Sequence, residues 1–316
     1  MIAGDKTALC FSGQGAQKVG MFSDLYKNVP DTKRIFDIAS KICNFDLAEI
    51  IFNGPEELLN RTEYTQPCVL ACDIAAGEAL RKKGFEYGYV AGFSLGEYAA
   101  LYMADSISLE DVFKLIKIRA AAMQSAVPTG KGGMLAVKTA DFATVEDICA
   151  KQEHYVCVAN YNSLSQVVVS GETEGVDAVE AELGERMIRC VRLRVSAPFH
   201  CKLMEPAKVK LEEAFKDITF MPPKVPIVLN YDGKPETDIL RIKEKVLLQT
   251  MSPVRWIDSI KSLEKLGVSL FVECGPGNTL KKLIKNISPD SEAVCMNDSL
   301  SLENVLSLRG TIIGNE

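Results

Sequence analysis

A serine set between two glycines is the pattern in this chain that most directly offers a nucleophile. Ser94 is the centre of Gly92-Phe93-Ser94-Leu95-Gly96, which follows the short apolar run "YVA" and precedes the helix-forming run "EYAALYMA". Between a strand and a helix, a G-x-S-x-G sequence is typical of a nucleophile elbow, in which glycines permit a sharp turn and the serine hydroxyl stands at its tip. The same letters also fit an ordinary glycine-containing turn, so the candidate partners of Ser94 must decide between the two.

The two histidines of the chain are the candidates for a base, because a serine hydroxyl needs a neighbouring group to take its proton. His154 lies beside charged residues in "KQEHYVCV", which predicts a half-exposed surface position. His200, in "VSAPFHCKLM", follows a strand and a proline and precedes a helix. Loops of this kind are where α/β folds place catalytic groups. By elimination, His200 is the base if Ser94 is a nucleophile; a packed or capping histidine is the alternative.

An arginine on the apolar side of a predicted helix is the candidate for binding an anion. Ser108 and Asp111 predict a capped start for a helix over Leu109–Val127. Arg119 falls in the apolar stripe of that helix, which comprises Val112, Leu115, Ile116 and Met123. A guanidinium facing the core is costly unless an anion meets it. Two interpretations stay open: a structural ion pair with an Asp or Glu of the chain, and a fork that binds a substrate carboxylate.

The loop "FSGQGAQ", which follows a predicted strand over Thr7–Phe11, is a candidate for stabilising negative charge. Backbone N–H groups of such a loop, with that of Gln14 in the natural position, are candidates for an oxyanion hole. The N–H of Leu95, directly after the serine, is the expected second donor. A glycine loop after a strand is common, so this motif alone is weak.

The elements around these residues alternate between strands and helices. A helix is predicted over Cys68–Lys83, and alternation before Pro128 and after Ser196 predicts an α/β layer with a largely parallel sheet. The breaker cluster Pro128–Gly133 introduces a different order, β-α-β-β-α-β, which is that of a ferredoxin-like unit. We therefore expect a small subdomain at 130–195, inserted between 1–129 and 196–316.

Composition excludes several classes of function. With 316 residues, of which 47% are hydrophobic and 25% charged, the chain can form a substantial core, and its net charge of −6 argues against broad binding to nucleic acid or to an anionic membrane. No apolar run is long enough to cross a bilayer. Ten scattered cysteines with no C-x-x-C pair and no signal peptide favour reduced thiols in a cytoplasmic protein.

Seven ordered motifs together make a much stronger signal than the elbow alone. They are "GQGAQ", "GFSLGEYAAL", "MQSAVPTGKGGM", "VANYNSLSQVVVSG", "VSAPFHCKLM", "SPVRW" and "ECGPGNTL". Through them the chain resembles the malonyl-CoA:acyl carrier protein transacylase family over essentially its whole length. The resemblance implies an α/β fold in which an α/β-hydrolase-like large subdomain carries a ferredoxin-like small one.

The resemblance also implies roles for individual residues. Ser94 corresponds to the acylated nucleophile, His200 to the general base and Arg119 to the clamp for the malonyl carboxylate. The implied reaction is a ping-pong transfer from malonyl-CoA to the phosphopantetheine thiol of acyl carrier protein, supplying fatty acid synthesis. It needs no metal or redox cofactor, and we expect a monomer.

Further positions follow from the same resemblance. The oxyanion hole is implied at the amides of Gln14 and Leu95, and the backbone carbonyl of Gln249 is implied to orient the histidine. This makes a Ser–His dyad without an acid. Asn162 corresponds to a position bordering the cleft between the subdomains. The chain departs from the family at Phe93, where the family usually has His; the change makes the surroundings of the serine more apolar and bears on acyl selectivity.

Three other functions share some of these features. A free-standing acyltransferase serving a polyketide synthase would carry the same residues, and a serine acyl-thioester hydrolase of the same fold would share Ser94 and His200 but would not need Arg119. A non-catalytic carrier-binding module would not need the intact site. An acidic carrier protein requires a local basic face, and two clusters are candidates, each with plain solvated surface as the alternative: Arg186, Arg189, Arg192 and Arg194, and Lys281, Lys282 and Lys285.

Overall fold

The computed structural model describes residues 6–195 and 197–312. Within these ranges it has ten strands, which are β1 (Thr7–Phe11), β2 (Tyr89–Gly92), β3 (Gly132–Val137), β4 (Val156–Ser163), β5 (Gln166–Glu172), β6 (Cys190–Arg192), β7 (Ile227–Leu229), β8 (Lys234–Glu236), β9 (Leu270–Cys274) and β10 (Glu292–Met296).

The same residues form fourteen α-helices. They are α1 (Ser23–Asn28), α2 (Pro30–Cys43), α3 (Leu47–Asn53), α4 (Glu56–Leu59), α5 (Thr62–Lys82), α6 (Gly96–Met103), α7 (Leu109–Ser125), α8 (Phe142–Ala150), α9 (Thr173–Glu185), α10 (Glu205–Ala214), α11 (Ile239–Gln249), α12 (Trp256–Lys265), α13 (Thr279–Ile287) and α14 (Ser299–Ile312). Of these described helices, none is both long enough and apolar enough to cross a bilayer.

A six-stranded sheet in the order β10-β9-β1-β2-β7-β8 forms the centre of the fold. Its first five strands pair in parallel and β8 joins β7 antiparallel, which confirms the prediction of a largely parallel sheet. Phe11 lies opposite both Gly92 and Cys274, so β1, β2 and β9 end at the same edge. The loops that follow these three strands therefore meet at the carboxyl edge of the sheet, where open α/β sheets bind ligands.

Alternation along β1 explains why helices cover both faces of this sheet. Leu9 and Phe11 belong to a core shared with α2, α5 and α7, whereas Ala8 and Cys10 belong to a second core shared with α12 and α13. Successive side chains of a strand point to opposite faces, so one short apolar strand contributes to two cores.

Helix α5 begins earlier than predicted. The sequence predicts a start at Cys68, after a proline, but the helix runs from Thr62 and contains Pro67. A proline removes one intrahelical hydrogen bond and usually ends or kinks a helix. Here the turn before it is buried, and Thr65 Oγ donates to the carbonyl of Leu59 at 2.6 Å, so packing holds the first turns in place.

A four-stranded antiparallel sheet, β4-β5-β3-β6, lies between residues 132 and 192 and has the chain order β3-α8-β4-β5-α9-β6. Leu135 and Val137 on one face pack against α8 and α9. Met134 and Ala136 on the other face pack with residues of α7 and of the loop around Phe199. This second face is turned toward the edge where the loops of the large sheet meet.

The small sheet is joined to the large one by backbone hydrogen bonds. Tyr161 N donates to the carbonyl of Val254, and Val254 N donates to the carbonyl of Ala159, both at 2.9 Å. Asn160 and Val254 thus form a parallel bridge, and the register of β4 against β5 shifts at this point. A shift of this kind is a β-bulge, which re-aims the side chains that follow it.

Candidate active site

The structure places Ser94 at a sharp turn between β2 and α6. Ser94 has a φ of 55°, in the left-handed region, and its amide donates to Asn230 Oδ1 at 2.7 Å. A Cβ at Gly92 would lie 1.9 Å from the backbone carbon of Gly96, and a Cβ at Gly96 would lie 2.3 Å from the carbonyl oxygen of Phe11. Both glycines are therefore required by close backbone approach, which is the geometry of a nucleophile elbow.

His200 lies on the loop after β6, with its ring against the serine. The distance between Ser94 Oγ and His200 Nε2 is 2.7 Å, and His200 Nδ1 lies 3.0 Å from the carbonyl oxygen of Gln249. Because a carbonyl only accepts, Nδ1 carries the proton and Nε2 is free to accept the serine hydroxyl. Burial, with the positive charge of Arg119 as a second cause, lowers the pKa of His200 to about 4. The imidazole is thus neutral near pH 7, the form that a general base requires.

Arg119 is fully buried on α7 and reaches the serine. Its Nη2 donates to Ser94 Oγ and to Gln249 Oε1, both at 3.1 Å, and its Nη1 donates to Gln66 Oε1 at 2.8 Å. The guanidinium carbon lies 5.4 Å from the centre of the Tyr98 ring. Within 6–195 and 197–312, no carboxylate is within ion-pair distance of Arg119, and its Nε has no hydrogen-bond acceptor. The hydrogen-bond partners of the guanidinium are thus neutral, and its Nε donor is unused among the described residues.

The loop after β1 packs directly on the elbow. A Cβ at Gly13 would lie 2.8 Å from the carbonyl oxygen of Phe93, so only glycine permits this approach. In the described part of the chain, the backbone N–H groups of Gln14 and Leu95 have no acceptor. The side chain of Gln14 donates from Nε2 to Thr62 Oγ1 at 3.2 Å. Two unpaired backbone donors next to a serine are what an oxyanion hole needs.

A cavity of about 280 Å³ opens over these groups and is bounded by both sheets. Ser94, His200 and the loop of Gln14 form one side, and Met134 and Val168 of the small sheet form the other. Such a cavity, with mainly apolar walls and a few polar groups, is typical of a site for a small ligand.

Phe93 and Asn162 also line this cavity. The Phe93 ring lies edge-on to Trp256, with 5.5 Å between ring centres, so this side chain is part of the wall. Asn162 Nδ2 donates to Gln166 Oε1 at 3.1 Å, and Asn162 Oδ1 is buried without a partner among the described residues. His154 is not among the residues that line this cavity. Its side chain is 51% exposed, and its Nδ1 lies 3.4 Å from a carboxylate oxygen of Glu172.

Three polar residues of the site were missed by sequence analysis. Gln66 and Glu97 are buried polar side chains on helices, and Asn230 is buried directly after β7. Asn230 was the easiest to find, because a polar residue at the carboxyl end of the apolar strand "VPIVL" stands where α/β sheets bind ligands. Gln66 and Glu97 give no such signal, since their partners are far away along the chain.

Comparison with known proteins agrees with this geometry. Residues 9–294 match the family model described as "Acyl transferase domain". A malonyl CoA-acyl carrier protein transacylase of Bacillus subtilis is 36% identical over 302 residues, which cover 94% of this chain and 95% of that protein. The chain therefore belongs to the malonyl-CoA:acyl carrier protein transacylase family, within the acyl transferases.

Solved structures give the same result. The crystal structure of malonyl-CoA:acyl carrier protein transacylase from Xanthomonas oryzae superposes with a TM-score of 0.94 at 36% identity, covering 97% of this chain and 99% of that one. A malonyl-transacylase solved in complex with a type II PKS acyl-carrier protein has a TM-score of 0.93 at 36% identity, covering 96% and 99%. At this coverage the whole α/β fold is shared.

Proposed function

We propose that this chain transfers a malonyl group from malonyl-CoA to the phosphopantetheine thiol of an acyl carrier protein through an ester on Ser94. One observation carries the proposal. Arg119, buried and bonded to neutral amide oxygens, lies 3.1 Å from the serine hydroxyl that His200 contacts. A positive group beside a nucleophile supports an acyl group that carries a free carboxylate at its far end.

The first half-reaction forms the malonyl-serine ester. His200 Nε2 takes the hydroxyl proton as Ser94 Oγ attacks the thioester carbonyl, and the amides of Gln14 and Leu95 stabilise the oxyanion. The carbon–sulfur bond then breaks, and the imidazolium returns the proton to the coenzyme A sulfur. The hydrogen bond from Nδ1 to Gln249 fixes the tautomer throughout. Every step is a proton or acyl transfer, which these groups can perform themselves.

Arg119 selects the acyl group in this scheme. Its Nε and Nη2 share one edge of the guanidinium; Nε has no acceptor within the described residues, and Nη2 is directed at Ser94. A carboxylate can accept from both atoms of this edge, in the bidentate manner that favours arginine over lysine. The substrate carboxylate then supplies a directly bonded negative group, which Arg119 does not have among the described residues.

The second half-reaction reverses the first with a different thiol. His200 takes the proton of the phosphopantetheine thiol, whose sulfur attacks the ester carbonyl and displaces Ser94 Oγ. The proton then returns to the serine. The product is malonyl-carrier, and the enzyme returns to its starting form. We assign this activity to fatty acid synthesis in the cytoplasm, with the enzyme acting as a monomer.

The two sheets support a division into two subdomains. We assign 1–129 and 196–316 to an α/β-hydrolase-like large subdomain and 130–195 to a ferredoxin-like small one. The strand order of the large sheet and the β-α-β-β-α-β order of the small sheet are the supporting features. The cavity then lies between the subdomains, where a long pantetheine arm can enter.

We assign the carrier to the exposed face of α13. Lys281 and Lys282 are exposed there and directly follow Leu280, which lines the cavity. The arginine cluster offers less free charge, because Arg192 is bonded to Asp177 and Glu180, and Arg186 to Glu182. A basic face at the cavity mouth suits an acidic carrier and steers its approach.

Intact-protein mass spectrometry after brief mixing with malonyl-CoA, and separately with acetyl-CoA, tests the function. We expect a malonyl adduct on the wild type, none on Ser94→Ala, and discharge of the adduct by phosphopantetheinylated carrier protein. Free malonate without carrier loading would indicate a hydrolase instead. Carriers from fatty acid and polyketide pathways, tested side by side, distinguish the two transferase roles.

A further inference from the structure

We propose that Glu97 is a positioning residue of this active site: a buried carboxylate that, in its ionised form, holds Ser94, His200 and Arg119 in position through the side chain of Gln249. The inference rests on the proposed function, because it concerns the same acyl transfer. It arises from a group that the mechanism above does not use. Glu97 lies on the first turn of α6, three residues after the serine, and has no exposed surface.

Both oxygens of the Glu97 carboxyl group accept hydrogen bonds from residues that hold the site together. Oε2 accepts from Gln249 Nε2 at 2.8 Å, and Oε1 accepts from the backbone N–H of Asn230. Asn230 in turn spans the elbow: its Oδ1 accepts from Ser94 N, and its Nδ2 donates to the carbonyl of Gly92, each at 2.7 Å. One carboxylate thus connects the elbow to the end of α11.

Gln249 is the point where the three active groups converge. Its side-chain Oε1 accepts from Arg119 Nη2 at 3.1 Å, and its Nε2 donates to the backbone carbonyl of Ser94 at 2.8 Å. Its own carbonyl accepts from His200 Nδ1 at 3.0 Å. The orientation of the amide is fixed, because a guanidinium only donates and a carbonyl only accepts. Nε2, a donor, therefore faces Glu97.

The hydrogen bonds favour the ionised form of Glu97. Both of its partners, the Asn230 amide and Gln249 Nε2, are donors, so the proton of a neutral carboxyl group would find no acceptor in either of them. Arg119 supplies the compensating positive charge from α7. Burial raises the pKa of Glu97 to about 8, and the hydrogen bonds and Arg119 oppose that rise. Asp232, in the turn between β7 and β8, adds a smaller contribution that raises the pKa.

In a Ser-His-Asp triad, one acid both accepts the histidine N–H and supplies the negative charge, and here these two tasks belong to different groups. There the carboxylate accepts the histidine N–H directly. Here the Gln249 carbonyl accepts it, and the carboxylate lies behind the side chain of the same residue. Glu97 therefore sets the position of the accepting carbonyl and of Arg119 together, without touching the histidine.

The test is the rate of Ser94 malonylation by malonyl-CoA, followed by rapid quench and intact mass, from mildly acidic to mildly alkaline pH. Glu97→Gln keeps the size of the side chain but places an NH₂ group opposite another donor, either the Asn230 N–H or Gln249 Nε2. We expect the rate to fall on the order of 100-fold, since small misplacement of reacting groups has effects of that size. In the wild type the rate should rise with pH as Glu97 ionises. In Glu97→Gln that rise should be absent, leaving only the titration of His200.

Glu78→Gln is the matched control. Glu78 is also largely buried on a helix, but it is bonded to Arg81 and Tyr102, away from the cavity. We expect Glu78→Gln to lower thermal stability and to leave the pH profile of acylation unchanged. A purely structural role for Glu97 would make the two variants behave alike, which would overturn the proposal.

Gln249→Met supplies a second, independent variant that keeps the backbone carbonyl. If Glu97 acts through the Gln249 amide, the double variant should lose no more activity than the worse single variant. Losses that multiply would refute the proposal. If Glu97→Gln does not fold, Gln249→Met alone must lose the same rise of rate with pH. A wild type that forms no malonyl adduct refutes the proposed function itself, whereas an acylated wild type matched by Glu97→Gln refutes only the role of Glu97.

Discussion

Replacing Arg119 with methionine should change which acyl group the protein accepts. Arg119→Met keeps an unbranched side chain of similar reach within α7 but removes every donor. Gln66 Oε1 and Gln249 Oε1 then lose their partner, whichever substrate is present. The carboxylate of malonyl-CoA loses its counter-charge as well, whereas acetyl-CoA has no carboxylate to lose. The ratio of the two rates therefore isolates the contribution of the clamp.

The size of the effect follows from the burial of the guanidinium, which has no exposed surface. A hydrogen bond to a charged group contributes about 1.5–3 kcal/mol, and removing one partner of a buried ion pair costs about 3–5 kcal/mol. With about 1.4 kcal/mol for each factor of ten, a loss of about 3 kcal/mol lowers kcat/KM for malonyl-CoA by on the order of 100-fold relative to acetyl-CoA.

The assay is kcat/KM for acylation of Ser94 by each thioester, from single-turnover mass spectrometry. Arg119→Lys is the matched variant: it keeps the charge but not the fork, so its malonyl-to-acetyl ratio should fall between those of the wild type and Arg119→Met. Equal decline of both rates in Arg119→Met would refute the clamp and would make Arg119 a structural residue.

Three further predictions concern the histidine, the elbow and the carrier. Burial lowers the pKa of His200 in the folded state to about 4, so the unfolded chain binds the proton first as the pH falls. The free energy of unfolding should therefore decrease by about 3 kcal/mol as the pH falls from the ordinary histidine pKa to about 4. Urea denaturation at a series of pH values measures this decrease, and His200→Gln should remove it. Gly92→Ala should destabilise the fold by about 1–3 kcal/mol and abolish acylation, because the added Cβ would lie 1.9 Å from a backbone atom. Gly184→Ala is the control: this glycine lies on α9 with open space around it, so the variant should keep acylation and have a higher melting temperature. Lys281→Glu with Lys282→Glu should raise the KM for carrier protein while the acylation rate with malonyl-CoA stays constant; an unchanged KM would remove α13 from the docking surface.

Sequence patterns predicted β1, β2, β7 and β9 of the large sheet, because these strands are apolar runs bounded by turns, but they did not predict β8 or β10. β1 has the predicted limits of Thr7 and Phe11, and the parallel pairing follows from the alternation of strands with helices. The sequence-based prediction contains no helix between the first loop and Cys68, yet α2 buries Ile35, Phe36, Ala39 and Cys43 at helical spacing. This spacing of apolar residues is a helical signal that the sequence contains. The four-residue helix α4 is different, since one turn gives no period to detect.

The residues of the site also fall into two groups, those that the sequence identifies and those that only the folded structure brings together. Local motifs single out Ser94, and the scarcity of histidine singles out His200, so these two can be chosen from the sequence alone. The contacts that hold them are long-range: Asn230 reaches Ser94 across 136 residues, and Gln249 reaches Glu97 across 152. No periodicity records such pairs, because each depends on how the elements pack in three dimensions.

The bridge between Asn160 and Val254 has a consequence for the size of substrate the protein can accept. Val254 lies five residues after Gln249, whose carbonyl bonds the histidine, so the two backbone hydrogen bonds at Val254 fasten the small sheet to the same stretch of chain that aligns the base. We expect a bulky acyl group that displaced the small sheet to shift this stretch, and with it the carbonyl that accepts from His200 Nδ1. We therefore expect large acyl groups to react slowly, because they would move His200 out of alignment with Ser94. Larger side chains in the cavity wall should therefore readily reduce the range of acyl groups that the enzyme accepts. Smaller side chains should extend that range less.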